Sequence, residues 1–512
     1  MKKVISILLC AVLIFGLFSV SVSAAETGKA KDYKERIFEA IYNMEEEINL
    51  DEYDVLVSDV TNFIHYVFQQ YPEYHYVSGI KGGTQNKDGE MVTLKLSYGI
   101  DKEHMLLERD FINRAIEPVL SDIGKNWSDM QKALRVHDWL CANFMYDYHL
   151  FEDGNENHDI YGFLRDGMGV CQSYAYTYMY ILRKVGVDAY YVVSEIDSHG
   201  WNVVNIDGKW YHVDVTHDDP IISETAHYDF LGEVRHNYFL LSDQEIIADG
   251  AHDDFYIPQV LGIVCGEYEG DYVWESAVSG FQEIGGDWYY LDNSKNAGGL
   301  MKTKDFKTAQ KVFEIGKYVE DWGKYGWAIG NTIYSGYYTG LFEYNEHLFF
   351  TDANEIYVYD THHSKMNTLP VERPENYHYF GLNMSGKTLK YLTSQNDILH
   401  NVSTGYYTLG THFLTDWEEI KKATQTETGL RVKFCYFCGD IIEQQTIPVL
   451  GSVQKGDANG DGSINTSDLA AEKLYLAGSN AEISIEGADF DSNGMVNTSD
   501  LASLKLYLAG VA

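Results

Sequence analysis

The chain has 512 residues, room for three or four domains, and its 45% hydrophobic and 22% charged content is that of folded protein rather than a disordered chain. The formal net charge of -39 excludes nucleic acid as a partner, because such a binder needs a basic surface to displace counterions from phosphates. Lys2 and Lys3 precede an apolar run from Val4 to Val20, and Val22-Ser23-Ala24 is a small-residue site before Ala25. This pattern predicts a secretory signal over residues 1–25 rather than a membrane anchor, and no later stretch is long and apolar enough to span a bilayer. One of the six cysteines, Cys10, lies inside that signal. The other five, Cys141, Cys171, Cys265, Cys435 and Cys438, are too few for a disulfide-built fold, and their odd number leaves room for a reactive thiol.

Residues 26–120 read as an α/β accessory region without evident chemistry. Helices are predicted from Tyr33 to Ile48, with Ile37, Ala40, Ile41 and Met44 on one stripe, and from Val55 to Tyr71; Val92 to Tyr98 alternates as a strand. A further helix runs from Ser128, its N-cap, to Phe144. Cys171 to Val185 is another, closed by Gly186, and strands follow at Ala189–Val193, Trp201–Ile206 and Lys209–Val215.

The segment Gly167 to Pro220 holds one constellation. Gly169-Val170-Cys171 places a cysteine after a glycine turn at the start of a helix, where the dipole and free N–H groups favour thiolate. Asp207-Gly208 between two alternating runs is a two-residue hairpin signal pairing Ile206 with Lys209. Counted outward, that register pairs Trp201 with Asp214 and His199 with Thr216, so His199 and Asp214 become diagonal neighbours on one face. Thiol, imidazole and carboxylate are the parts of an acyl-transfer site. His212 and His217 compete with His199 for the imidazole role, and no second ligand set suggests a metal here.

With its order Cys…His…Asp, this segment resembles the core of the transglutaminase-like superfamily, with support from Cys141-Ala142-Asn143-Phe144-Met145-Tyr146 and Asn237-Tyr238-Phe239-Leu240-Leu241-Ser242. The resemblance implies a papain-like α+β fold over 121–262, with Cys171 as nucleophile, His199 as general base and acid, and Asp214 as orienting carboxylate. It covers cross-linking enzymes, peptidases, amidases and inactive binding modules alike. Val215 and His217 stand where Pro and Trp often follow the Asp.

From 263 to 410 aromatic strand-like runs appear: Trp288–Leu291, Thr332–Tyr334, His347–Phe350 and Leu389–Leu392. Asn354-Glu355-Ile356 and Asn396-Asp397-Ile398 recur 42 residues apart, compatible with propeller-type blades or an irregular all-β domain. Residues 411–453 form a small Cys-containing module and linker. Lys421 to Gly439 resembles a Cys-rich module of secreted bacterial proteins, but Gln425 replaces one thiol, so only Cys435-x-x-Cys438 remains and no metal is expected there.

The last segment, 454–512, contains a tandem repeat 32 residues apart. Both copies fit the calcium-loop template. Asp457, Asn459, Asp461, Ser463 (carbonyl), Asn465 (through water) and Asp468 form one ligand set, with Gly462 at the turn. Asp489, Asp491, Asn493, Met495 (carbonyl), Asn497 and Asp500 form the other, with Gly494. Each loop runs into an identical Lys-Leu-Tyr-Leu-Ala-Gly helix segment, at 473–478 and 505–510. This looks like a type I dockerin of cellulosome systems. That resemblance implies two Ca2+ ions, a cohesin domain of a scaffoldin as partner, and selection of that partner by Thr466-Ser467 and Thr498-Ser499, with near two-fold symmetry.

The expectation is therefore a multidomain protein with an α+β core, a β-rich middle and a small helical dockerin. It would be secreted into a cell-surface or free cellulosome-like complex, acting on a protein or peptide by amide hydrolysis. A cross-linking transglutaminase and a non-catalytic scaffold component associated with polysaccharide degradation are the alternatives.

Overall fold

The computed structural model describes residues 32–147, 157–219, 232–257, 262–269, 272–292, 299–313, 327–329, 332–334, 339–352, 354–371, 373–375, 377–394, 402–409, 414–424, 426–435, 439–449 and 454–511. The expected signal at 1–25, Gln425, Cys438 and the recurrence at 396–398 lie outside them. The chain divides into two compact units, Met1–Leu409 and Gly410–Ala512. Among the described residues no helix is long and apolar enough to cross a membrane.

The first unit opens with α1 (Tyr33–Asn43), capped by Asp32. The helix stops short of the expected Ile48 because Met44 turns left-handed at φ 58°, and Ile48 then enters β1 (Glu47–Asn49). After α2 (Val57–Gln70), strands β2 (Val77–Gln85) and β3 (Met91–Tyr98) complete an antiparallel sheet in the order β1-β3-β2. Ile37, Ala40, Ile41, Ile64 and Val67 from the two helices pack with Leu94 and Leu96 in one buried cluster. Then come α3 (Lys102–Asp122) and α4 (Asp129–Asn143), the latter started by a Ser128–Gln131 capping box.

Two short parallel strands, β4 (Met145–Tyr146) and β5 (Met168–Gly169), flank α5 (Ile160–Asp166). They deliver the chain into α6 (Cys171–Lys184). A five-stranded antiparallel sheet of order β10-β6-β7-β8-β9 lies beside α6: β6 (Ala189–Ser194), β7 (His199–Ile206), β8 (Lys209–Val213), β9 (Phe239–Leu241) and β10 (Phe255–Tyr256). Asp207 at φ 52° and Gly208 at φ 84° make the expected β7–β8 turn. Pairing runs from Ile206↔Lys209 only to Asn202↔Val213, because Asp214 leaves the ladder to cap α7 (Val215–Asp218). The expected pairs Trp201–Asp214 and His199–Thr216 therefore do not form.

The β-rich region consists of antiparallel meanders. One sheet joins β11 (Gln282–Ile284), β12 (Asp287–Asp292), β13 (Gly299–Thr303) and β14 (Gln310–Phe313) in sequence order. After the pair β15 (Trp327–Ile329) and β16 (Thr332–Tyr334), a second four-stranded sheet joins β17 (Thr339–Tyr344), β18 (His347–Thr351), β19 (Ile356–Asp360) and β20 (Lys365–Thr368). A three-stranded sheet follows: β21 (His378–Ser385), β22 (Thr388–Ser394) and β23 (Ser403–Thr408). The first of these sheets shares a core with the helices, since Trp288, Tyr290, Met301 and Phe306 belong to the same buried cluster as Leu134, Leu140, Tyr178 and Ile181.

The second unit holds the sheet β24 (Glu418–Lys421), β25 (Gly429–Phe434) and β26 (Ile441–Ile447), with Cys435 buried after β25. It ends in α8 (Thr466–Leu476), a single turn α9 (Ile485–Ala488) and α10 (Thr498–Leu508). Asn465 and Asn497 cap the two long helices, each in a reciprocal box with Asp468 or Asp500. The repeat is broken at buried positions: Ala458 stands where the second loop has Phe490, and Glu472 of α8, its carboxylate oxygens without a protein partner, stands where α10 has Leu504.

Gln70 fixes the accessory region to the five-stranded sheet. Its buried amide donates to Tyr191 O at 3.0 Å and accepts from Tyr191 N at 2.9 Å. Gln70→Leu strips both backbone groups of their partner in a water-excluded place and should cost about 3 kcal/mol. Denaturant unfolding of the variant beside wild type measures this.

Candidate functional site

Cys171 sits at the first position of α6, half-buried. Gly169 makes that placement possible: a side chain there would collide with Ser173 Oγ, Phe163 and the Asn157 carbonyl. The strand bearing His199 is drawn to the same helix by buried Asn202, whose Nδ2 donates to Ala175 O at 3.0 Å. Gly200 leaves the space that the Tyr191 hydroxyl fills. The His199 ring stacks on Trp201, centroids 5.6 Å apart and 18° between planes. Trp201 Nε1 in turn donates to His212 Nδ1 at 2.9 Å.

The fully buried Asp214 accepts from His199 Nε2 at 2.6 Å through Oδ2. The Cys171 thiol lies close enough to the same imidazole to help raise its pKa. With Nε2 committed to Asp214, Nδ1 is the nitrogen left for the thiol. Burial pulls the His199 pKa down, but the charge and hydrogen bond of Asp214, with Cys171, outweigh it and hold the group up at about 10. Burial pushes Asp214 up, and the imidazoles around it outweigh that, holding it well below the usual carboxylate range. The structure thus brings Cys171, His199 and Asp214 together, though by an N-cap rather than by diagonal strand register.

Two more imidazoles reach the same carboxylate. His217 Nδ1 lies 2.7 Å and His252 Nε2 2.8 Å from Asp214 Oδ2, while the backbone N–H groups of Thr216 and His217 bind Oδ1 at 2.9 and 3.2 Å. His217 was visible as a competitor in the sequence; His252, 38 residues beyond Asp214, carried no local signal. The other competitor, His212, is engaged elsewhere. Its Nδ1 accepts from Trp201, so Nε2 carries the proton and donates to Asp243 Oδ1 at 2.9 Å. Burial, only partly offset by Asp243, lowers its pKa.

Beneath α7 lies a second buried polar network. His137 spans Asp138 Oδ1 at 3.0 Å and Asp218 Oδ2 at 3.2 Å, and His236 Nε2 donates to Asp138 Oδ1 at 2.9 Å. Asp218 also accepts from Tyr238 N, which fixes the end of the helix that Asp214 begins. Cys141 packs here with its thiol pushed up to about 12 by burial, and burial likewise raises Cys265.

In the second unit, Asp457, Asp461 and Asp468 converge, as do Asp489, Asp491 and Asp500. Gly462 N donates to Asp457 Oδ2 at 2.9 Å and Gly494 N to Asp489 Oδ2 at 2.9 Å, so each glycine closes its loop onto the first carboxylate. Asp457 Oδ1 is buried with no protein partner, an oxygen whose desolvation a hard cation would offset. Asn465 and Asn497 use their carbonyls to cap, accepting from Ser467 N and Ser499 N at 2.8 Å. These oxygen-rich loops fit calcium.

A model of the transglutaminase-like superfamily matches residues 119–215, and one of the type I dockerin domain matches 455–509. The chain carries a transglutaminase-like core and a type I dockerin. Dockerins of this type typically bind calcium, pair with cohesins and occur in extracellular cellulosome components. Among solved structures, the chain is similar to a TGase at 17% identity, covering 33% of this chain and 50% of that one, with a TM-score of 0.20. It is similar to a putative cysteine protease from Cytophaga hutchinsonii at 15% identity, covering 26% and 61%, TM-score 0.18. A putative protease from Parabacteroides distasonis aligns at 13% identity over 25% and 29%, TM-score 0.16. The chain thus spans about half the length of the TGase and under two thirds of the others. No curated protein matches.

The two titrations of the core define a pH window. Asp214, depressed from 3.8, contributes stability that is present above that value and lost as pH falls. His199, raised from 6.5 to about 10, contributes stability that is complete below 6.5 and lost as pH rises towards 10. The stability gap between wild type and Asp214→Asn should therefore be widest between about pH 4 and 6.5 and narrow on both sides. Denaturant midpoints measured from pH 3 to 10 check this; a gap independent of pH would contradict it.

Proposed function

We propose that this is a secreted cellulosome-type component whose transglutaminase-like core, at 121–262, hydrolyses amide or peptide bonds through Cys171. The observation that supports this most is the shared imidazole: His199 is bonded to the Asp214 carboxylate at 2.6 Å and is coupled to the Cys171 thiol. Asp214 holds the Nε2–H and stabilises the imidazolium that forms when Nδ1 takes the thiol proton. The thiolate attacks the carbonyl carbon, and the backbone N–H of Cys171 at the helix start helps to stabilise the oxyanion. His199 then gives its proton to the departing amine, leaving a thioester. Water, deprotonated by His199, cleaves the thioester and restores the thiol.

The dockerin, at 454–512, is the docking module. It holds two calcium ions, one in the Asp457–Asp468 loop and one in the Asp489–Asp500 loop, and binds a cohesin domain through the helix faces after Thr466-Ser467 and Thr498-Ser499. Supporting this, α8 and α10 expose the same pair of apolar side chains, Leu474 with Tyr475 and Leu506 with Tyr507. Through such an assembly the protein would work alongside polysaccharide degradation without cleaving glycans itself.

Brief iodoacetamide treatment at pH 6, followed by mass spectrometry, should label Cys171 well before Cys141 or Cys265, which burial keeps protonated. His199→Ala should abolish that preference, and Asp214→Ala should slow peptide turnover on the order of 10³–10⁴-fold. Equal labelling of all three thiols would overturn the catalytic reading. Incorporation of a primary amine in place of water would move it to cross-linking.

Calorimetry of the whole chain should find two calcium equivalents. Asp468→Ala and Asp500→Ala should each remove one, and chelation should loosen α8 and α10 as their loop carboxylates repel. Helicity unchanged by chelator would argue against metal-dependent folding of this module.

A further inference from the structure

Orienting a catalytic imidazole takes one carboxylate contact, yet Asp214 Oδ2 has three imidazole nitrogens around it, at 2.6, 2.7 and 2.8 Å. One carboxylate oxygen offers two lone pairs, so three N–H donors exceed what it can serve well. The three nitrogens and the carboxylate all lie within 4.8 Å of one another. Three imidazoles with one carboxylate suit a borderline divalent ion such as zinc or cobalt better than calcium or magnesium, which prefer an all-oxygen shell.

The surroundings are those of a prepared ligand set. Oδ1 is fixed by the N–H groups of Thr216 and His217, leaving Oδ2 aimed at the imidazoles. His252 is fully buried and held edge-on to Trp201, centroids 4.8 Å apart. His199 is 11% exposed and His217 34%, so His217 forms the mouth by which an ion enters. An ion with ~2.0 Å bonds keeps tetrahedral ligands roughly 3.3 Å apart, so each ring would retreat from Oδ2 by about half an ångström and the rings would close on one another from separations within 4.8 Å.

We propose that His199, Asp214, His217 and His252 bind a divalent transition ion of the zinc class, and that its binding disables Cys171. The proton bookkeeping gives the second effect. A ring that coordinates through one nitrogen keeps its single proton on the other, and a doubly protonated ring first releases one proton to solvent. For His199, coordination through Nε2 puts the remaining proton on Nδ1, the nitrogen left for the thiol. With its second proton released to solvent and the remaining one fixed on Nδ1, the coordinated ring can no longer take the thiol proton, and the thiol loses its base. The binding claim stands on the four ligands alone, whereas the disabling claim rests on the acyl-transfer reading of Cys171.

The test uses the full chain with calcium in excess, so that the dockerin loops do not compete. Cys171→Ala should bind one equivalent of Co2+ with visible d–d absorption and no thiolate-to-metal charge-transfer band. His217→Gln, at the solvent-facing position, should weaken that binding ~10-fold or more. In wild type, Zn2+ should slow iodoacetamide labelling of Cys171 by at least ~10-fold, and His217→Gln should relieve the protection. The site is overturned if Cys171→Ala takes up no such equivalent, if His217→Gln leaves uptake unchanged, or if the metal shows a thiolate band that disappears with Cys171→Ala. If the equivalent binds as expected but Zn2+ does not protect Cys171, the disabling claim is overturned. If metal-free Cys171 labels no faster than the other thiols, the acyl-transfer reading fails while the titration still decides the site.

Discussion

A carboxylate with no access to water organises the first unit. Burying Asp214 as a charge costs several kcal/mol unless its oxygens are satisfied, and here five donors meet them: three imidazoles and two backbone N–H groups. Each donor constrains a different stretch of chain. The backbone donors start α7, and Asp218 at its other end is locked by His137 and the Tyr238 amide. His252 brings in the segment just before β10, and His199 brings in β7. The relation of thiol to imidazole therefore depends on a charge that the fold must keep neutralised.

Much of this was legible because it is local. The Asp207-Gly208 turn fixed the β7–β8 register, since both residues adopt the positive φ that a tight hairpin requires. Extending that register past Val213 went wrong for an equally local reason. An aspartate that can bind the N–H groups two and three residues on competes with the ladder, and at Asp214 the cap won. The overlong first helix failed similarly: Ile48 fits the helical stripe, but a left-handed Met44 diverts it into a strand. His252 could not be found by spacing at all, because only the folded sheet edge brings it to Asp214. In the middle region the aromatic runs marked their strands correctly, while the joining of those strands into meanders was not written in any short window.

The dockerin lay almost wholly open to the sequence because a calcium loop is a twelve-residue object that carries its own ligands. What the repeat concealed is a buried carboxylate in one half only. Glu472 and Leu504 occupy equivalent places, and a carboxylate without a partner is not energetically equivalent to a leucine. The two halves therefore present matching outer faces over unlike interiors.

The core shared between the helices and the first β-meander bears on how such a gene can be assembled. Trp288, Tyr290 and Phe306 complete the packing around Leu140 and Tyr178, so a recombination event falling between the thiol site and Phe306 would hand each descendant half an interior. Crossovers after Leu409, where one compact unit ends, would spare both. Inheritance should accordingly move the transglutaminase-like core and its adjoining sheet as one block, while the terminal dockerin can be traded between unrelated cargoes.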